Sequence, residues 1–104
     1  MQSRIYNKGI YTVIELRGEL DESCAAGVRR QLDEELAGKQ VANNVLFDMR
    51  GVPFMDSTGI GMLLGRYKLL KQAGKNMFIT NVGPQLDRVL NTVGIYTIMR
   101  KVSV

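Results

Sequence analysis

The sequence predicts an α/β fold: a single mixed β-sheet with packed helices, in the order β-β-α-β-α-β-α-β. Three observations carry this. Two β-rich segments at the N-terminus flank a turn at Lys8-Gly9. Two later apolar runs, Asn44 to Met49 and Met77 to Val82, are each followed by a segment of helical periodicity. Gly38, Gly74 and Gly94 stand where the helical patterns stop. A hairpin followed by βα units implies parallel strands joined by right-handed crossovers.

Taken in order, Ser3 to Asn7 and Ile10 to Arg17 read as strands, the second rich in Tyr11, Thr12, Val13 and Ile14. Gly18-Glu19-Leu20-Asp21 leaves the strand, and Asp21 or Ser23 can cap a first helix reaching about Ala37. Its buried stripe is Ala25, Val28, Leu32 and Leu36. Asn44 to Met49, interrupted only by Asp48, suits a central strand covered on both faces. A second helix runs from about Thr58 to Ala73, and Met77 to Val82 is another buried strand. Pro84 opens a third helix in the first-turn position that proline tolerates. Its apolar face is Leu86, Val89, Leu90 and Val93, and Thr97 to Val102 is a final strand.

At 104 residues the chain is one domain, 1–104, with 45% apolar and 23% charged residues, as in ordinary soluble globular domains. No apolar run approaches the roughly 18 residues that span a bilayer. The N-terminus enters an alternating pattern directly, without the look of a secretory signal. The single cysteine, Cys24, cannot form an internal disulfide and fits a reducing cytoplasm. It reads as a small hydrophobe near a helix start. Histidine is absent, which removes Ser-His-Asp and Cys-His catalysis and His-ligated zinc. No metal site or cofactor is expected. The net charge of +4 is mild, and its cations, Arg29, Arg30, Arg66, Lys68, Lys71, Lys75, Arg100 and Lys101, are scattered over what reads as a solvated face. Neither an RNA-binding aromatic signature nor zinc-finger spacing accompanies them, so direct nucleic-acid binding is not expected.

The chemistry concentrates at Phe54-Met55-Asp56-Ser57-Thr58-Gly59-Ile60-Gly61, between a strand end and a helix start. Such junctions in α/β folds gather ligands and phosphates. At about 100° per residue, Ile60, Leu63, Leu64, Tyr67 and Leu70 gather on the core side of the helix. Ser57, Gly61, Lys68 and Gln72 form an adjacent outward strip with Gly65 beside it, while Thr58, Met62 and Leu69 fall almost opposite the core. Gly61 and Gly65 each cost a helix about 1 kcal/mol relative to Ala. Either close packing within the domain or a partner approaching bare backbone offsets that cost. Exposed Met62 and Leu69 favour a partner unless another helix covers them. Ser57 has two readings as well: an N-cap, a task Asp56 does equally well, or a phosphorylation site. A phosphate at a helix N-terminus is electrostatically accommodated and alters the surface rather than the fold.

Other readings of the junction are weaker. Gly59, Gly61 and Gly65 depart from dinucleotide-fingerprint spacing, and no complete Rossmann unit surrounds them. There is no P-loop and no nucleophile elbow. Glu19, Asp21, Asp48 and Asp56 could be drawn as a carboxylate site, but capping and turn formation account for them more simply.

The Asp56-Ser57-Thr58-Gly59-Ile60-Gly61 segment resembles the phosphorylation segment of anti-sigma factor antagonists in the STAS domain family. Gly18-Glu19-Leu20-Asp21, Val45-Leu46-Phe47-Asp48, Leu64-Gly65-Arg66-Tyr67-Lys68 and Val93-Gly94-Ile95 support it across nearly the whole chain. Leu64 to Lys68 lean towards the sporulation type over the stress-response type. The resemblance implies a STAS-like fold and a protein that is not itself an enzyme. It implies that Ser57 is phosphorylated by an anti-sigma factor serine kinase using ATP. The unphosphorylated form would bind that kinase and release a sigma factor, and a PP2C-type, metal-dependent phosphatase would reverse the modification. Glu19, Leu20 and Asp21, together with Asp56, Thr58, Gly59, Ile60, Gly61, Met62 and Gly65, would form the docking face of a cytoplasmic monomer. The alternative within the family is a STAS interaction or scaffold module without a switch. Family members often continue into a further C-terminal helix beyond the position of Val104.

Overall fold

The computed structural model describes residues 2–19, 22–38 and 40–103, with 22–25, 37 and 38 described by backbone alone. The element order is β1 (Gln2–Lys8), β2 (Tyr11–Arg17), α1 (Glu22–Gly38), β3 (Asn44–Gly51), α2 (Ser57–Gln72), β4 (Asn76–Thr80) and α3 (Pro84–Thr92). A 3₁₀ turn (Ile95–Thr97) and a short β5 (Arg100–Lys101) follow. The expected final strand from Thr97 is therefore shortened. Gly94 enters the left-handed region at φ 81°, and the 3₁₀ turn takes the residues after it. Likewise β4 stops at Thr80 rather than Val82, because Asn81 turns the chain with φ 56°.

The five strands lie in the order β1-β2-β3-β4-β5. β1 and β2 are antiparallel, and β2 to β5 are parallel. Lys8 pairs with Tyr11, so the hairpin loop is Gly9-Ile10. Gly9, at φ 60°, holds the first central position, which a type II′ turn reserves for glycine.

Successive right-handed crossovers that step in one direction put all three helices on the same face of the sheet. Ile14 and Leu16 of β2, Val45, Phe47 and Met49 of β3, and Met77 and Ile79 of β4 point to that face. They pack with Val28, Leu32, Met62, Leu63, Leu70, Leu86 and Leu90. Ala25 of the expected α1 stripe lies outside the described side chains, and Leu36 packs at the core margin. Val93 is 53% exposed instead of joining the α3 face, because α3 ends at Thr92 and the chain turns there.

The expected two-sided cover of β3 is not found. Among the described residues no helix covers its second face, yet Val13 and Leu46 on that face are only 3% exposed, shielded by neighbouring sheet side chains. A Tyr96–Asp87–Lys101 cluster fastens the C-terminal end. The Tyr96 hydroxyl donates to Asp87 at 2.5 Å, Lys101 donates to the same oxygen at 2.9 Å, and the Lys101 ammonium sits 4.8 Å from the Tyr96 ring centroid.

Candidate functional site

The junction after β3 is built by alternation of buried and exposed residues. Val52 and Met55 turn into the core while Pro53 and Phe54 face out. The Val52 amide donates to the Met49 carbonyl at 3.0 Å, closing the turn. Asp56 then takes an extended conformation (φ −90°, ψ −170°), and its Oδ1 accepts from the Gly59 amide at 3.0 Å. The first helical bond runs from the Ile60 amide to the Asp56 carbonyl at 3.0 Å. Asp56 is thus the N-cap of α2, and Ser57 is its first helical residue. The Ser57 side chain is exposed and has no hydrogen-bond partner among the described residues. Of the two tasks read from the sequence, capping belongs to Asp56, and the Ser57 hydroxyl is left presented at the positive end of the helix dipole.

The neighbouring strand end lies against this junction. Arg17 pairs with Gly51 across an irregularity between Glu15 and Arg17. The Gly18 amide donates to the Gly51 carbonyl at 2.8 Å. A Cβ on Gly51 would meet the Leu16 carbonyl oxygen at 2.9 Å and the Arg17 Cα at 3.1 Å. Only glycine fits there, and sequence reasoning missed it: a lone glycine at a strand end reads as a turn rather than as close backbone approach. Glu19, the residue after this contact, is exposed. Leu20 and Asp21, expected with it on the docking face, lie outside the described residues.

On α2 the outward strip is as expected: Ser57, Gly61, Lys68 and Gln72 are exposed and Gly65 is half-exposed. A Cβ built on Gly61 or Gly65 meets nothing within 4 Å. Close packing within the domain therefore does not explain either glycine. Thr58 and Ile60 are half-buried, and Gly59 is buried beneath the cap.

Met62 requires correction. It is 5% exposed and packs in the core, so its side chain is not part of an open surface. The reason lies four residues along, at Arg66, which is also 5% exposed and was expected to be solvated. Its guanidinium donates to Asp33 and, at 3.2 Å, to the Arg29 carbonyl of α1. The Met62–Arg66 stripe is the flank on which α1 packs, so a neighbouring helix covers what the wheel left open. Only Leu69, 48% exposed, keeps the expected position, at the edge of a small groove shared with Leu36, Val41 and Ala73.

Asp21 lies outside the described residues, and the described carboxylates are engaged elsewhere. Asp48 accepts from the Arg50 amide at 3.0 Å and from Asn81 Nδ2 at 3.2 Å, while Asp56 is held in its cap. Among the described residues no group of three or more carboxylate or cysteine side chains is placed to hold a metal ion. No helix is long and apolar enough to cross a membrane among the described residues.

Comparison with known proteins places this geometry. The STAS domain family model matches residues 4–103, so the chain belongs to the STAS domain family. An anti-sigma F factor antagonist of Paenibacillus polymyxa is 36% identical over 94 residues, covering 90% of this chain and 79% of the relative. An anti-sigma-B factor antagonist of Bacillus subtilis is 26% identical over 86 residues, covering 83% and 76%. Among solved structures, the anti-sigma factor antagonist SpoIIAA in its unphosphorylated form superposes with a TM-score of 0.76 at 22% identity, covering 98% of this chain and 89% of that one. An antagonist-like protein of Thermotoga maritima gives 0.85 at 16% identity, covering 98% and 86%. These two likenesses establish the shared mixed five-stranded fold with its three helices.

Proposed function

We propose that this chain is an anti-sigma factor antagonist that works as a phospho-switch. Unphosphorylated, it binds an anti-sigma factor kinase and so releases a sigma factor. Phosphorylation of Ser57 ends that binding, and a PP2C-type phosphatase restores it. The observation that carries this reading is the division of labour at the start of α2. Asp56 satisfies the Gly59 amide, and the Ser57 hydroxyl is exposed and unengaged. A hydroxyl needed for capping could not be modified without loss of the cap; this one can.

The similarity to anti-sigma F and anti-sigma-B factor antagonists supports the same role. In the chain's favour as a substrate rather than a catalyst, no histidine stands anywhere in the sequence to activate Ser57 as a nucleophile. The docking face would comprise the Glu19–Leu20–Asp21 loop, Asp56, Thr58, Ile60 and the uncovered backbone at Gly61 and Gly65. Gly59 would shape it from beneath, and Met62 would support it from the core side. A phosphate adds about −1.5 to −2 charge at neutral pH. Set beside Asp56, it repels an acidic or apolar partner surface without disturbing the helix, whose N-terminus tolerates anions.

Incubation with the cognate kinase and ATP, followed by mapping of the modified residue and titration of the kinase before and after, tests the proposal. Phosphate on Ser57 and loss of affinity are expected. Phosphate elsewhere, or equal affinity of both forms, would overturn the switch and leave a STAS interaction module. Ser57→Ala should bind constitutively and Ser57→Asp weakly.

A further inference from the structure

The face of the sheet opposite the helices holds a cavity of about 920 Å³ that the switch does not use. Among the described residues it is bounded by β1, the β1–β2 turn, β2, β3 and the end of β4. Beneath it lie Val13 and Leu46, each 3% exposed under the side chains around them, and Tyr6 and Tyr11 stand along it. At the hairpin end, Ile10 is 66% exposed. Cross-strand pairing orders the cavity along the strands. Lys8 and Tyr11 form one row, Tyr6, Val13 and Leu46 the next, Arg4, Glu15 and Asp48 the third, and Arg17 with Gly51 the last.

Charged side chains recur along the same axis: Lys8 in the first row, Arg4, Glu15 and Asp48 in the third, and Arg17 in the last. The carboxylates are engaged: Glu15 pairs with Arg4 at 3.9 Å, and Asp48 accepts from Asn81 and the Arg50 amide. Tyr6, like any phenol at neutral pH, adds no charge, and burial first and then the neighbouring Glu15 push it further above the usual tyrosine value. Arg17 and Arg50 line the last row with guanidinium groups that engage nothing among the described residues. Arg17 is also packed against β3: its Cγ lies 3.1 Å from where a Gly51 Cβ would stand, beside the register shift between Glu15 and Arg17.

We propose that this face binds an amphipathic organic anion, with an apolar body along Tyr11, Tyr6, Val13 and Leu46 and a single oxyanion head between Arg17 and Arg50. The volume is at the upper end of the range for small-ligand sites, about 300–1,000 Å³. From Tyr11 to Arg17 the strand advances about 20 Å, which suits an extended fatty carboxylate rather than a compact ring. Guanidinium groups recognise carboxylate and phosphate oxygens in a forked geometry. The ligand comes from free solution: the floor is recessed beneath the flanking side chains, which a chain can enter and a flat bilayer surface cannot.

The test titrates the full chain with dodecanoate below its micelle concentration, with dodecanol as the same body lacking the charge, and with anilinonaphthalene sulfonate as an aromatic anion. Binding is read by backbone amide shifts in isotope-labelled protein. Saturable dodecanoate binding is expected, with shifts centred on Tyr6, Val13 and Leu46, and weaker binding of dodecanol. The double variant Arg17→Gln/Arg50→Gln, on exposed positions, should lose about tenfold in dodecanoate affinity with dodecanol unaffected and an unchanged melting temperature. Tighter binding of the sulfonate than of dodecanoate would overturn the fatty-chain body. Absence of saturable binding, shifts confined to the groove beside Leu69, unchanged affinity in the double variant, or binding only to phosphatidylglycerol vesicles would each overturn the site.

Discussion

Asp56 and Ser57 are adjacent, small and polar, and local sequence cannot apportion their roles. The apportionment has separable consequences. Asp56→Ala removes the acceptor of the Gly59 amide and should cost about 1 kcal/mol in denaturant unfolding. Ser57→Ala removes a hydroxyl without a partner and should change stability by less than about 0.5 kcal/mol. If the two variants ranked the other way, Ser57 would be the structural cap. At Arg66 the residue scale overrides expectation, since a side chain read as a surface cation is pinned under α1. Breaking the pair from the Asp33 side leaves that buried guanidinium short of a partner. Asp33→Ala should therefore cost about 1–2 kcal/mol, tempered because Asp33 is half-exposed. Arg66→Met, which removes the charge and keeps the volume, should be closer to neutral in the same measurement.

At the scale of elements, α2 contains residues that its own stability does not require. Gly61 has open space where a Cβ would lie. Gly61→Ala should raise unfolding free energy by about 0.5–1 kcal/mol, since the helix gains propensity and loses no contact. The same variant should bind the kinase less tightly, measured by calorimetry. Stabilisation with unchanged binding would remove Gly61 from the docking face. At the other end, α3 and β5 are joined through Asp87. The Tyr96 hydroxyl bond and then the Lys101 ammonium hold its carboxyl below the usual carboxylate value. A depressed folded value means stability present above the unfolded pKa, about 3.9, and lost as pH falls through the folded one. Burial, reinforced by Asp87, raises the Tyr96 phenol, so its share is complete below about pH 10 and lost on going more alkaline. Melting temperature against pH should therefore fall at both extremes, and Tyr96→Phe should flatten both limbs relative to the parent chain.

At the scale of the whole molecule, the switch is expected to change the surface and not the fold. Chain stoichiometrically phosphorylated on Ser57 should melt within a few degrees of the unmodified form and retain its far-ultraviolet dichroism. A drop of tens of degrees would mean that the modification acts by unfolding. The layout is consistent with this economy. The helices lie on one face of the sheet, the junction carries Ser57 at the carboxyl ends of the parallel strands, and the second sheet face stays open. Family membership and the fold of SpoIIAA-like structures agree with that layout.

The sequence by itself determined the element order, the strand-to-helix junction and the outward strip of Ser57, Gly61, Lys68 and Gln72. Those features follow from local periodicity, glycine stops and backbone chemistry, all of which act within a few residues. It did not reveal that Met62 and Arg66 are buried, that Gly51 admits no side chain, or that Val13 and Leu46 are shielded on a sheet face that no helix covers among the described residues. Each of these depends on what lies across from the residue. The flank of α2 that is covered depends on where α1 lands, and Gly51 is confined by β2, tens of residues earlier in the chain. A helical or strand period states which residues share a side; only the tertiary structure decides which sides meet a neighbour.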